Sequence, residues 1–249
     1  MTLKDILISG KLTISEGGGG GGISVDDIAQ NLEPSGDITL NTATVIKSNA
    51  FRNKPITSIT APNVTDVQTD ALNGTLIEEI TDANFPSITS QGAHFNHMPN
   101  LKSIKLTHWT NLAGGNGVLR EDPNLLTFEA PSCNSDTGNF FAYGNSKLTL
   151  CDLGGCTKIA GNNFYNCGAL TTLILRRADA ICALADTGTF NGSPFKNGGT
   201  GGTIYIPKAL YDHLGDGTAL DYKAANKWST IDGYGTITWA QIEGSPYEL

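Results

Sequence analysis

The sequence predicts a β-rich solenoid, with parallel strands stacked in coils, little helix and a small helical/β cap at the C-terminus. A short strand phrase carries this reading, recurring every 21 to 24 residues as SGDITL, ITSITAP, IEEITD, LKSIKL, LLTFEA, LTLCDL and LTTLIL. A last copy, TIYIP, follows after a longer interval. Self-similarity at this period marks units that cannot bury their apolar face until neighbours stack on them. The 30 glycines, set among many Asn, Thr and Ser, add frequent turns and leave little room for helix.

Residues 1–16 form a first segment, with apolar Leu3, Ile6, Leu7, Ile8, Leu12 and Ile14. Its periodicity suits either a helical turn followed by a strand or a docking peptide. Gly17–Gly22 reads as a flexible linker of roughly 13 Å, within a linker region of residues 17–34. No Lys-Ser/Thr follows the glycines, so they are not a phosphate-cradling loop.

The solenoid is expected over residues 35–206. Its aligned core positions are Ile38, Ile59, Ile80, Ile104, Phe128, Cys151, Leu173 and Ile204. In each unit a turn follows the strand, often with proline (Pro62, Pro86, Pro131), then a second apolar pair such as Val64 and Val67. A small-aromatic element closes the coil, as at Ala50-Phe51, Phe95, Phe164 and Phe190, and Asn-rich turns come after it. The interval from Leu173 to Ile204 holds a long loop with NGSPFKNGGTGG. Residues 207–249 change pattern: Pro207, Leu210, Tyr211 and Leu214, then Tyr222 to Trp228, suggest short helices covering the last open coil. Trp228 and Trp239 belong with that cap.

Composition narrows function. A formal charge of −8 without a Lys/Arg cluster argues against a nucleic-acid partner. No apolar run approaches the roughly 20 residues of a membrane helix, so no membrane insertion is expected. The N-terminus carries Lys4, Asp5 and Lys11 without an uninterrupted apolar core, a poor secretory signal. Five cysteines at irregular spacing (Cys133, Cys151, Cys156, Cys167, Cys182) read as buried thiols rather than a disulfide framework. His94, His97, His108 and His213 read as exposed turn residues rather than metal ligands. The acid pairs Asp26/Asp27, Glu78/Glu79 and Glu121/Asp122 lack the framing that general acid catalysis requires. The chain is therefore read as non-enzymatic, with no cofactor and no metal.

A solenoid offers a surface. Side chains alternate along a strand, so residues flanking each inward position point out. One row is Asp37, Ser58, Glu79, Ser103, Thr127, Leu150, Thr172 and Thr203, and the other is Thr39, Thr60, Thr81, Lys105, Glu129, Asp152, Ile174 and Tyr205. Together they form a strip about 34 Å long. It is polar early, charged in the middle, where Lys105 and Glu129 are placed to pair, and apolar late at Leu150, Ile174 and Tyr205. The apolar end is expected to be either a contact surface or the bed of the 186–202 loop. Trp109 just after a strand, and Phe140, Phe141 and Tyr143 in a turn, are surplus aromatics that suit a binding ridge or a contact with another copy of the chain.

The F-x-N/R-x-x-L/I-x-x-I-x-x-P phrasing at Phe51 to Pro62, Phe95 to Leu106, and Phe164 to Cys167 with Leu170, Leu173 and Leu175 resembles the BspA-like leucine-rich repeat family. Ile204 to Pro207 with Tyr222 to Ser229 looks like the closing unit of such proteins. The resemblance implies a leucine-rich-repeat solenoid used for adhesion or assembly, with no shared catalytic motif. The ends, MTLKDIL with polyglycine and GTITWAQIEGSPYEL, are similar to small repeat proteins encoded among tail genes of phages and prophages of gut Firmicutes. This implies a virion location after assembly in the host cytoplasm, with tail proteins or a host surface receptor as partners. A cell-surface adhesin binding host protein or glycan is the alternative.

Overall fold

The computed structural model describes the backbone of residues 11–14, and residues 35–88, 94–113, 117–196, 201–233 and 235–249 in full. Residues 1–10 of the N-terminal segment and the expected linker, with Gly17–Gly22, lie outside the described residues, as does part of the NGSPFKNGGTGG loop. The strands are short: β1 (Lys11–Ile14), β2 (Gly36–Leu40), β3 (Val45–Ile46), β4 (Ile56–Thr60), β5 (Asp66–Val67), β6 (Glu79–Thr81), β7 (Ser103–Lys105) and β8 (Thr127–Glu129). They continue as β9 (Leu150–Asp152), β10 (Lys158–Ile159), β11 (Thr172–Ile174), β12 (Ala183–Leu184), β13 (Gly202–Ile206) and β14 (Ile237–Gln241). Among the described residues, helix comprises one 3-10 turn at Thr187–Phe190, α1 (Lys208–Tyr211) and α2 (Trp228–Asp232).

All the strand pairs are parallel, as a coil returning to one face demands. The register is the one the repeat dictates: Ile38 lies opposite Ile59, and Ile80, Ile104, Phe128, Cys151, Leu173 and Ile204 follow rung by rung. Each of these eight side chains is at most 1% exposed, so one column of the core runs the length of the stack. The second apolar pair of each coil forms small parallel sheets of its own, β3–β5 and β10–β12.

The sheet extends beyond the eight strand phrases at both ends. Lys11–Ile14 adopts the strand option for the N-terminal segment, with Leu12 opposite Ile38. Past residue 206 the chain adds β14 in parallel to β13, with Trp239 opposite Ile204. Around it Tyr222 and Trp228 seal the end of the stack. The Tyr222 hydroxyl accepts from Cys182 N (2.9 Å) and Trp228 Nε1 donates to Cys182 O (2.7 Å). Both backbone groups of Cys182 are thereby satisfied where no further coil arrives.

The Asn-rich turns have one cause. Successive coils place a residue with left-handed backbone at the same corner: Asn53, Gly74, His97, Glu121, Gly144, Asn166 and Gly192, with φ between 55° and 79°. Each donates its N–H to a carbonyl of the next coil where one follows, as Gly74 to His97 O (2.9 Å) and Gly144 to Tyr165 O (2.9 Å). Glycine and asparagine tolerate this conformation best. A Cβ at Gly74 would lie 2.3 Å from Asn53 Oδ1, so a larger residue there would require the Asn53 side chain to move. After all but the first of these corner residues, the next residue is buried: Thr75, Met98, Asp122, Asn145, Cys167 and Ser193. Most of them turn a polar atom back on the corner's backbone, as Thr75 Oγ1 to Leu72 O (2.8 Å) and Asn145 Nδ2 to Leu119 O (2.7 Å).

Candidate interaction surface

On the sheet face, Lys105 Nζ sits 2.9 Å from Glu129 Oε2 across adjacent rungs, the pairing anticipated from the sequence. Both are open enough to water that this pair contributes little to stability.

The apolar end of the strip is closed. Ile174 is 1% exposed and Leu150 and Tyr205 are half-buried. Asp152, also 1% exposed, accepts three hydrogen bonds from Arg176 (3.2, 2.9 and 2.6 Å) and one from Gly154 N (2.9 Å). Burial still outweighs that pairing and pushes its carboxyl up. The C-terminal tail covers this end of the strip, and among the described residues of the 186–202 loop Phe190 and Phe195 turn into the core. Arg176 Nη1 donates to Tyr247 O (2.8 Å), and the Tyr247 ring packs edge-on against Tyr205 at 4.7 Å. Asp152 and Ile174 are therefore not free surface.

Trp109 is not surface either. It is 1% exposed and stands between Phe95 and Phe128, 5.9 Å from each, in a ladder from Phe85 to Phe141. Phe141 ends the same ladder. His94, expected at the surface, is 8% exposed.

The remaining surplus aromatics do form a ridge, at the corner beside the left-handed turns. Phe140 packs on Tyr143 (5.7 Å, 71°), and Tyr143 stacks on Tyr165 of the next coil (5.5 Å, 10°). Arg120, one coil before, lies 5.4 Å over the Tyr143 ring and donates twice to Glu121 Oε1 (3.0 and 2.8 Å). Those bonds hold the Glu121 carboxyl below its ordinary range, with His97 Nε2 3.2 Å away on the other side. Four of these residues, His97, Phe140, Tyr143 and Tyr165, are half-buried and Arg120 is exposed.

Phe140 is the strained member. Its φ is +56°, at a second left-handed column that holds Asn49, Asp70, Gly117 and Asn162 in other coils. A bulky side chain in this conformation costs on the order of 1–2 kcal/mol. The core does not require it, because Phe141 already fills that coil. A strained, surface-facing aromatic is the kind of outlier that points to function.

A second feature of the face was invisible in the repeat pattern. The main sheet breaks between β4 and β6. The Asn84 amide bridges the gap, accepting from Thr81 N (2.7 Å) and donating to Ile59 O (2.8 Å), where a direct ladder bond would otherwise run. A groove of about 620 Å³ opens there, lined by Thr57, Ser58, Leu76, Glu78, Glu79 and Thr81 among others.

Several titratable groups are buried. Asp122 is fully buried inside the corner, and burial drives its carboxyl well up. The five thiols are buried and unpaired. Among the described residues no three of His, Cys, Asp and Glu gather as a metal site, and no helix is long and apolar enough to cross a membrane.

A family model described as a BspA type leucine rich repeat region matches the chain in six copies, over residues 36–139 and 88–183. No curated protein matches it.

Proposed function

Because the chain belongs to the BspA-type leucine-rich repeat family, we propose that it is a non-catalytic protein-binding component whose contact is the ridge of Arg120, Phe140, Tyr143 and Tyr165. Leucine-rich repeats serve protein–protein binding, and the ridge has the composition of an interaction hot spot, Tyr and Arg with an aromatic anchor. The observation that carries the choice of site is Phe140, held in a left-handed conformation at the surface where the core gains nothing from it. Stacked tyrosines supply large, rigid contact area at low entropic cost.

The setting proposed is a phage or prophage virion, with the protein tail-associated and its partner another tail protein or a host surface molecule. Support comes from the similarity of the segments MTLKDIL with polyglycine and GTITWAQIEGSPYEL to repeat proteins encoded among tail genes. The adhesin alternative rests on the same family. Mass spectrometry of purified particles against surface labelling of intact bacteria separates the two: peptides of this chain in particles support the virion, and labelling on cells supports the adhesin. The ridge itself is tested by Tyr143→Ala with Tyr165→Ala. Loss of retention on the particle or cell fraction, with an unchanged melting curve, supports it, and full retention refutes it.

A further inference from the structure

We propose that the sheet face over β9, β11 and β13 is a peptide-binding site, that the C-terminal tail occupies it in cis, and that an extended partner peptide bearing an aromatic side chain displaces the tail. This site is separate from the aromatic ridge and does not depend on it.

Three features make the site. The Arg176 guanidinium is fixed by its bonds to buried Asp152, which leaves Nη1 as an oriented donor. It meets a main-chain carbonyl, that of Tyr247, at 2.8 Å. Tyr205 offers a ring face to an aromatic side chain, filled by Tyr247 at 4.7 Å. Leu150 and Ile174 line the floor between. A charged donor for a carbonyl, an aromatic partner and an apolar floor recognise a backbone and one side chain, which is how extended peptides are read.

The tail is a replaceable occupant. Among the described residues, Tyr247 provides the one hydrogen bond that ties residues 246–249 to the rest of the sheet face. The others are local: Tyr247 N to Ser245 Oγ (3.1 Å), Gly244 N to Glu248 Oε2 (2.8 Å) and Glu248 N to Ser245 O (3.3 Å). Leu249 is 89% exposed. Few anchoring contacts place such a segment at the low end of local stability. A groove of about 340 Å³ lies between residues 246–249 and the side chains of Lys105 and Glu129, which pair with each other. A longer peptide that also fills this groove gains contacts that residues 246–249 do not make. That differential contact is what shifts occupancy away from the tail.

The test uses the full chain and a fluorescein-labelled peptide of residues 244–249, Gly-Ser-Pro-Tyr-Glu-Leu. Fluorescence anisotropy compares the wild type with Tyr247→Ala, whose substitution lies in the tail. The peptide is expected to bind Tyr247→Ala at least tenfold more tightly than the wild type. An unlabelled peptide with alanine for the tyrosine should not compete, and Tyr143→Ala in the ridge should leave the affinity unchanged. Equal binding to both proteins, or no measurable binding to either, overturns the proposal. Circular dichroism of Tyr247→Ala confirms that the stack is intact in each arm.

Discussion

Asp122 and Asn145 occupy the same buried position in successive coils, and the Asp122 N–H donates to Asn145 Oδ1 at 2.8 Å. Asn145 uses both ends of its amide, since its Nδ2 also reaches Leu119 O. Asp122 uses one oxygen, accepting from Met98 N at 2.7 Å, and its Oδ2 has no partner. The isosteric amide suits this site better than the acid does.

Asp122→Asn is accordingly expected to stabilise the fold at neutral pH by on the order of 1–3 kcal/mol, the cost of a buried unsatisfied group. The sign of the pH dependence follows from the raised carboxyl pKa. A group whose folded pKa lies above its unfolded value of 3.8 gives its full stability below that value and loses it as pH rises through the folded pKa. The wild type should therefore lose this contribution between acid and neutral pH, and Asp122→Asn should not. Thermal melts of both proteins across that range check it, and a lower melting temperature for the amide at pH 7 would falsify the assignment.

Phe140→Asn separates stability from binding. Asparagine accepts the +56° backbone, as Asn49 and Asn162 do in the same column. Melting temperature should rise or hold while binding through the ridge falls at least tenfold. A variant that is both less stable and fully competent would show that Phe140 is a packing residue after all.

The Asp152–Arg176 pair predicts the opposite kind of change. Its side chains are 2% and 13% exposed, so removing the carboxylate strands a largely buried guanidinium. Asp152→Ala should cost about 3–5 kcal/mol and speed hydrogen exchange in the tail that Arg176 holds. Chemical denaturation reads the first effect and exchange mass spectrometry the second.

The cysteines should be silent in the folded protein. All five are at most 1% exposed, and burial pushes Cys133 up to about 11, Cys167 up to about 12, and Cys151 well above its ordinary value. A thiol-reactive dye at pH 8 should label none of them within minutes and all of them in denaturant. Fast labelling of the native protein would place a thiol at the surface.

The periodic part of this molecule was legible because one constraint repeats. Eight inward strand positions must stack, and their spacing alone predicts the register of Ile38 on Ile59 and of the rungs from Ile80 to Ile204. What escaped is what happens once. Trp109 looked like surplus because its coil already contained Phe95, yet it is the buried link between Phe95 and Phe128 in a ladder that spans coils. The Tyr247 strap depends on a contact 71 residues away with Arg176, and no local pattern encodes it. The Asn84 bridge breaks the sheet through a side chain that resembles every other turn asparagine. The ridge was half visible: Phe140 and Tyr143 stood out as surplus, whereas Tyr165 joins them only through stacking between coils.

Hydrogen-exchange footprinting of the protein bound to the particle or cell fraction that retains it would locate the contact. Protection is expected at residues 117–121, 140–145 and 162–166, the corners that carry Arg120, Tyr143 and Tyr165. Protection confined to β6–β9, with those corners unchanged, would contradict the ridge as the binding site.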